Sequence, residues 1–480
     1  MDDILVRICE KRERDYRRFT KTFGSVLPGT RRRPLVPFLS SPGAILEIKR
    51  SSPSKGVINE DLDPVTRAFS YRSSGAKQIS ILTERNFFGG SLDDLIAVGD
   101  AIDDVALLRK DFIQHVDEIE VSYRAGADAV LLICAVLDTS TLQECADACT
   151  QYGITPLIEV RDEGDVEKLN TIRCPSMIAG VNSRDLSTFA IDPMRPAQLF
   201  DSLPCKAVYE SGIHHRGMCT YARSLGFTGV LIGEAVSRDC SKAFEYVSAC
   251  AGEADYRQGA FWKRMALRTV ERPLVKICGL TCSSDAMDAV QEGADLLGAV
   301  CAESVRSVSE DAARQIRMTI DESPAVKKPL FIAVVTETQG RWFALAQRLY
   351  NEGVFDGLQY HGVRRSDSSL PVGYHAVRVK DQDSAATVLS MMREGEPRIL
   401  IDGYLEGMAG GTGIQVDGAL LDALADAGPL WVAGGLSPDN VRQLLKSYDV
   451  DLVDASSALE LRPGKKDVES VKKFIQECRR

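Results

Sequence analysis

The stretch ILEIKRSSPSKG, from Ile45 to Gly56, places Glu47 and Lys49 on alternate positions of an apolar run. In a β-strand side chains alternate, so both charges fall on one face. A carboxylate beside an ammonium group can exchange a proton, and the small, hydroxylated and basic residues that follow suit a phosphate. The arrangement recurs along the first half. Lys110 ends LLRK, with Phe112 on the same face; Glu159 ends PLIE, Asn182 ends AGVN and Glu210 ends AVYE. A single Lys or Glu at a strand end is ordinarily a solvated rim residue, and a pair ordinarily an ion pair. Several carboxylates, two lysines and an amide aimed at one mouth are costly to bury unpaired and suit a reaction needing acid and base together. In such a site, a lysine crowded by a second ammonium group is expected below its ordinary pKa, and a partly buried Glu above its own.

Phosphate is suggested separately. ESGI brings Ser211 and Gly212, and LIGEA brings Gly233 and Glu234, after the last two strands of this half. Barrel enzymes commonly cradle phosphate there on main-chain N–H groups. In the second half, VKICGLT sets Lys276 and Cys278 on one strand face. A strand cysteine is by default an inert core residue. Context argues otherwise: ILID ends in Asp402, and a glycine-rich stretch follows at Gly410, Gly411 and Gly413. Gly434, Gly435, Ser456 and Ser457 form a second candidate cradle, LQYHG offers Gln359 and His361, and VRSVS offers Arg306 as an anion clamp.

These residues need elements to hold them. Eight short β-branched runs, spaced by roughly 22 to 35 residues, alternate with helical stretches in the first half, and a second set of eight follows in the other, which implies parallel sheet. Eight repeats per half is the size of a (β/α)8 TIM barrel, so the fold class expected is α/β with two barrels in tandem. Two doubly wound sheets are the alternative. The expected divisions are 1–252, a connector at 253–272, and 273–480. The residues before the first strand hold an amphipathic start and the basic stretch PGTRRRPLVPF, which together look like a helical lid over one mouth. The triple arginine reads as solvated surface, with binding as the alternative.

Composition sets the outer bounds. A chain of 480 residues with net charge −10 has no basic face for a nucleic-acid backbone, so a small anion must find a local positive site. Thirteen cysteines occur with no CxxC pair and no zinc spacing, which fits a reducing compartment. The charged N-terminus lacks a signal peptide's apolar stretch, and no run approaches the ~20 apolar residues of a membrane span. The expectation is a cytoplasmic protein with no membrane or nucleic-acid partner.

The first half resembles indole-3-glycerol-phosphate synthase. ILEIKRSSPSKG, ILTERNFFGGS, LLRKDFI, LIEV, GVNSRDL, ESGI and LIGEA occur in family order and at family spacing. The resemblance implies ring closure, decarboxylation and dehydration of 1-(o-carboxyphenylamino)-1-deoxyribulose 5-phosphate. It makes Lys110 the general acid and Glu159 the residue that handles the proton balance of ring closure and water loss. Lys49 and Glu47 become a second acid/base pair, and Asn182 and Glu210 orient the ligand. Ser52 and Arg184 bind its anionic groups, Ser211, Gly212, Gly233 and Glu234 the phosphate, and Phe88 and Phe112 wall the aromatic ring. Glu234 stands where some members carry Ser, so its side chain must point away from the phosphate.

The second half resembles phosphoribosylanthranilate isomerase through VKICGLT, GGTG, AGGL and the paired serines. The implied reaction is an Amadori rearrangement, with Asp402 protonating the ribose ring oxygen and Cys278 removing the proton from carbon 2. Cys278 would act as a thiolate, its pKa lowered by nearby positive charge. Lys276, Arg306, Gln359, His361, Gly411, Gly434, Gly435, Ser456 and Ser457 are the implied substrate contacts. Departures are Tyr360 for the usual Leu, Ile414 for a basic residue, His375 for Lys, and no proline before Arg306. The product of the second half is the substrate of the first, as in bifunctional tryptophan-biosynthesis enzymes. The partners implied are small sugar-phosphate anthranilates, with no metal, organic cofactor or obligate protein partner. A Schiff-base aldolase is the rival enzyme, and a catalytically degenerate second barrel the non-enzymatic alternative.

Overall fold

The computed structural model describes residues 4–53, 56–185, 190–269, 273–325, 327–403 and 418–480. The chain divides into two compact units, Met1–Gly259 and Ala260–Arg480, and each contains a closed parallel barrel of eight strands. The first barrel comprises β1 (Gly43–Ile48), β2 (Gln78–Leu82), β3 (Ala106–Lys110), β4 (Ala129–Ile133), β5 (Thr155–Val160), β6 (Ile178–Asn182), β7 (Ala207–Glu210) and β8 (Gly229–Ile232). The second comprises β9 (Leu274–Ile277), β10 (Leu296–Val300), β11 (Leu330–Val335), β12 (Gly357–His361), β13 (Gly373–Val379), β14 (Ile399–Gly403), β15 (Leu430–Ala433) and β16 (Val450–Ala455). Each barrel closes first strand on last, Gly43 opposite Gly229 and Leu274 opposite Leu452. The tandem TIM-barrel expectation holds. The strands are buried on both faces, which is why their sequences are largely apolar runs, with acids, lysines and an amide such as Lys110, Glu159, Asn182 and Glu210 at or near their C-terminal tips.

Each barrel is plugged at the N-terminal end of its strands by the segment that precedes its first strand. In the first unit, Phe38 and Leu39 join Ile45, Leu108, Leu131 and Leu157 in one apolar cluster inside the barrel. Gly229 has no side chain because a Cβ there would stand 2.8 Å from Leu39. In the second unit, the helix Tyr256–Ala266 supplies Phe261 and Trp262, both essentially inaccessible. Phe261 lies 6.4 Å from the Tyr374 ring and Trp262 5.9 Å from Trp431. The span 253–272 thus carries the second barrel's plug on a helix.

The N-terminal residues separate into two functions. The helix Ile4–Phe19 buries Leu5, Ile8, Arg12 and Asp15, spaced to share one face, and its first turns border the mouth of the first barrel. The basic stretch runs instead toward the starts of β3 and β4. Arg33 donates to the carbonyls of Val105 (2.6 Å) and Gly126 (3.1 Å), and Arg31 to that of Ala127 (2.6 Å). Both pair with Asp128, at 3.0 and 2.5 Å. Only Arg32 matches the solvated reading, pairing with Asp100 at the surface. Alternation along an extended segment turns the outer two arginines inward and the middle one out. Among the described residues, no helix is long and apolar enough to cross a membrane.

Candidate functional sites

The C-terminal tips of the first barrel surround a cavity of about 1120 Å3, counting space open to solvent. Glu47, Lys49, Ser52, Phe88, Lys110, Phe112, Glu159, Asn182, Arg184, Glu210, Ser211, Gly212, Gly233 and Glu234 all line it. Every first-half residue singled out from sequence is therefore on one wall or another of a single cavity, with Ile4, Leu5 and Ile8 contributing an apolar side. Lys110 donates to Glu210 at 2.7 Å and stands 3.9 Å from Glu159. Asn182 donates to the other Glu159 oxygen at 3.2 Å, and its own carbonyl accepts the Arg184 N–H at 3.0 Å. Lys49 pairs with Glu47 at 2.9 Å, and Gly233 leaves them room, since a Cβ there would stand 2.5 Å from Glu47.

Burial pushes the Glu210 carboxyl up to about 7, Glu159 and Glu47 add to the rise, and Lys110 opposes it. That agrees with a raised buried Glu. Lys110 corrects the companion expectation. Burial alone would lower it, but Glu210, Glu159 and Glu47 together hold its ammonium above the usual lysine range. Sequence gave two lysines and no distances; three surrounding carboxylates outweigh one neighbouring ammonium. Ser211 and Gly212 both take left-handed backbone, at φ 70° and 72°, so the turn after β7 is strained at a non-glycine residue facing the cavity. Glu234 turns toward Arg238 at 3.2 Å.

Beside this wall lies a charge network that sequence reading missed. Arg12 donates to Asp111 at 2.8 and 3.1 Å and to both oxygens of Glu118. Arg109 bonds the same two acids at 2.8 and 3.2 Å. Asp111 directly follows Lys110, so the network ties the N-terminal helix to the strand that carries the cavity's lysine. The signal was present: Arg12 falls on the apolar face of an amphipathic helix.

In the second barrel, the Lys276 ammonium donates to Gln359 and Asp454, each at 2.6 Å, and the Tyr374 hydroxyl also donates to Gln359 at 3.0 Å. Lys276 is 0% exposed and Gln359 3%, so these two expected substrate contacts form a layer below the mouth. Alternation could have found Asp454, which shares a strand face with Ser456. Gln359 continues to His361 at 3.3 Å, and His361 approaches Asp402 at 3.3 Å. Burial, with Arg378 and Lys276 nearby, pulls His361 down to about 4, leaving it neutral. Burial and Asp454 push Asp402 up to about 6, against Arg378 and Lys276. Gly434, in left-handed backbone, packs on this acid; a Cβ there would stand 2.8 Å from Asp402 and 2.5 Å from Gly403 N.

Cys278 overturns an expectation. It lies beside Lys276 and within the influence of Lys466, yet burial outweighs both cations and raises the thiol. A desolvated thiolate costs more than one already-paired ammonium returns. Arg306 is held by Glu460 at 2.8, 2.9 and 3.1 Å, and Glu460 also accepts from Lys466 at 3.1 Å. Ser456 meets this group: a Cβ on Gly279 would stand 2.7 Å from its hydroxyl and 3.0 Å from Arg306. Ser457 opens a short helix after β16, and Gly435 has φ 63°. Two of the departures lie away from the site. Tyr360 and His375 pack together between barrel and helices, 5.7 Å apart, with the Tyr360 hydroxyl on the Pro371 carbonyl at 2.6 Å. Gly410, Gly411, Gly413 and Ile414 fall outside the described residues. Among the described residues, no three His, Cys, Asp or Glu side chains could hold a metal ion.

Comparison with known proteins gives two family matches. Residues 35–245 match the model for indole-3-glycerol phosphate synthase, and residues 275–477 that for N-(5'-phosphoribosyl)anthranilate isomerase. A multifunctional tryptophan biosynthesis protein of Schizosaccharomyces pombe is 30% identical over 91% of this chain and 59% of its own length. A protein of the same description from Phycomyces blakesleeanus is 28% identical over 92% and 63%. This chain thus spans less than two thirds of either relative. An indole-3-glycerol phosphate synthase of Halalkalibacterium halodurans is 37% identical over 42% of this chain and 77% of its own. The crystal structure of phosphoribosyl anthranilate isomerase from Thermotoga maritima is 28% identical over 43% of this chain and 98% of that one, with a TM-score of 0.36.

Proposed function

Because the chain belongs to the indole-3-glycerol phosphate synthase family in its first unit and to the phosphoribosylanthranilate isomerase family in its second, we propose that it catalyses two consecutive steps of tryptophan biosynthesis. The second unit isomerises N-(5-phosphoribosyl)anthranilate to 1-(o-carboxyphenylamino)-1-deoxyribulose 5-phosphate. The first converts that product to indole-3-glycerol phosphate, carbon dioxide and water. The observation that carries the reading is the convergence of acid, base, amide, aromatic and glycine-turn residues on one cavity of the first barrel.

In the synthase, the Lys110 ammonium protonates the substrate's carbonyl oxygen as the aromatic ring attacks the carbonyl carbon. Glu210 aims that ammonium. Carbon dioxide leaves from the attacking ring carbon and restores its aromaticity. Glu159, oriented by Asn182, takes the proton from the methylene carbon beside the nitrogen as the new hydroxyl, protonated in turn, leaves as water. Lys49 steadies the carboxylate that leaves as carbon dioxide. Phe88 and Phe112, 5.9 Å apart, flank the ring. Main-chain N–H groups at Ser211, Gly212, Gly233 and Glu234 take the phosphate. A lysine held firmly in its charged form suits a proton donor and not the neutral amine that a Schiff-base aldolase needs.

In the isomerase, Asp402 donates to the ribose ring oxygen and Cys278 accepts the proton from carbon 2. With Asp402 near 6 and the thiol raised, the reactive pairing of acid and thiolate is a minority form at neutral pH. Its population is the same from about pH 6 up to the thiol's own titration, because the loss of one form offsets the gain of the other. The thirteen cysteines form no disulfide, which supports a reducing, cytoplasmic setting.

The test is to supply phosphoribosylanthranilate and follow indole-3-glycerol phosphate with each unit inactivated in turn. Asp402→Asn should stop its consumption while leaving synthase activity on added carboxyphenylamino-deoxyribulose phosphate. Lys110→Ala should let that intermediate accumulate. Failure of the wild-type chain to form either product refutes the proposal.

A further inference from the structure

We propose that Glu84 is a positioning residue for the synthase step: its buried carboxylate shapes the loop after β2 so that Phe88 stands as a wall for the substrate's aromatic ring. This rests on the synthase reading above and deepens it.

Glu84 lies four residues before Phe88 in ILTERNFFGGS. It is 3% exposed and borders a smaller hollow behind the cavity wall, shared with Arg12, Asp15 and Asn86. Its two oxygens take three successive main-chain donors. One accepts the N–H of Asn86 at 2.8 Å, and the other those of Phe87 at 2.7 Å and Phe88 at 3.1 Å. The Glu84 carbonyl closes the same loop by accepting from the Gly90 N–H at 2.9 Å. A Cβ on Gly90 would stand 2.0 Å from the Leu82 carbonyl oxygen, so the closure leaves room for glycine alone.

These bonds fix more than the N–H groups. A trans peptide unit is planar, with its N–H and C=O pointing opposite ways. Holding the Phe88 N–H on Glu84 turns the Phe87 carbonyl outward, where it accepts the Ser51 hydroxyl at 3.0 Å. The next two carbonyls also meet the segment after β1: that of Phe88 accepts the Ser51 N–H at 3.3 Å, and that of Gly89 accepts from Arg50 at 3.1 Å. The loop is gripped from both sides, and it carries Phe88 to the cavity, 5.9 Å from Phe112. Three donors converging on one side chain need a group that only accepts, which an ionised carboxylate is and an amide is not. Among the described residues Phe88 lines the cavity and Glu84 does not, so the carboxylate reaches the substrate through the ring it places.

The test is a double-mutant cycle on the full chain, with 1-(o-carboxyphenylamino)-1-deoxyribulose 5-phosphate as substrate. Glu84→Gln keeps the shape and turns an NH2 group toward a donor. It should raise synthase KM roughly 5- to 30-fold, with kcat changed by less than about threefold. Phe88→Ala should raise KM at least as much, and adding Glu84→Gln to it should change KM by less than about threefold more, because the ring through which Glu84 acts is already gone. Glu84→Asp, which keeps a carboxylate, should fall between wild type and Glu84→Gln, and it takes the same place in the cycle if Glu84→Gln does not fold. A double variant whose loss equals the product of the two single losses overturns the inference, as does a Glu84→Gln chain with a lower unfolding midpoint and wild-type KM. A wild-type chain inert on this substrate overturns the synthase reading and the inference with it, whereas an active wild type with an indifferent Glu84→Gln overturns the inference alone.

Discussion

Lys110 and Lys276 invite comparison. Each lies on the inward face of a barrel strand, each donates to a carboxylate at 2.7 or 2.6 Å, and each is held above the usual lysine range by surrounding acids. They differ in depth. Lys110 is the last residue of β3, with a side chain 15% exposed that borders the cavity. Lys276 is one residue short of the end of β9 and 0% exposed. One residue along a strand is about 3.3 Å, and it separates an ammonium that can meet a substrate from one that can only act on its neighbours. Position at the tip makes Lys110 the proposed acid; position one layer down makes Lys276 an electrostatic support for Cys278 and Asp402.

The largest effects should break the two lysines apart. Lys110→Ala should cut synthase kcat/KM by about 10²- to 10⁴-fold, the usual contribution of a general acid, and leave isomerase kinetics unchanged. Lys276→Met should leave synthase kinetics unchanged and act first on stability. It strands Asp454 without its cation, a loss of about 3–5 kcal/mol for a buried pair. A urea titration that follows the two activities separately should show the isomerase fail at lower denaturant. If Lys276→Met leaves stability intact and abolishes only turnover, the depth distinction is wrong.

The next effect concerns pH. Glu210 must be ionised to hold the Lys110 ammonium, so synthase kcat/KM should fall with unit slope as pH drops through about 7. Glu210→Gln should remove that limb. For the isomerase the acid limb should lie near 6, where Asp402 titrates. Lys276 lowers the Asp402 carboxyl, so removing that cation in Lys276→Met moves the limb upward. A limb that stays put or moves down contradicts the assigned coupling.

Arg12→Met should sharpen the comparison from the other side, since among the described residues it is the first barrel whose mouth is bordered by a moored N-terminal helix. The variant frees Asp111 and Glu118 from half of their cationic partners while the rim residues keep their own contacts. Ile4, Leu5 and Ile8 would lose their fixed position on the cavity wall. Synthase KM should rise about tenfold with a smaller fall in kcat, and isomerase kinetics should stay as they were. Equal behaviour of the two activities would mean that Arg12 is structural only.

What the sequence disclosed and what it withheld separate along the same line. Period-two alternation marked the faces: Glu47 with Lys49 and Lys276 with Cys278 are on shared faces as read, and the first-half set meets in one cavity. Alternation carries no depth, so it does not separate Lys276 and Gln359, expected as substrate contacts, from side chains that reach the mouth. It carries no cross-barrel distance either, so the three carboxylates around Lys110 and the desolvation of Cys278 went unweighed. The Tyr256–Ala266 helix falls within the expected connector because an amphipathic helix shows the same pattern whether it links or plugs. Arg12 meets Asp111 across 99 residues, a separation that no local pattern spans.

The smallest effect lies in the triple arginine, where the comparison reduces to neighbours in one run. Arg33 is 7% exposed and donates to two backbone carbonyls as well as pairing with Asp128. Arg32 pairs with Asp100 at the surface, with side chains 60% and 42% exposed. An exposed ion pair contributes about 0–1 kcal/mol, so Arg32→Ala should barely shift the thermal midpoint. Arg33→Ala leaves buried carbonyls and part of Asp128 without donors, at about 1–3 kcal/mol for each unsatisfied group. Because both arginines precede β1, the loss should register in synthase unfolding and not in that of the isomerase. Equal midpoints for the two variants would show that the run is solvated throughout and that Phe38 and Leu39 seat the plug without it.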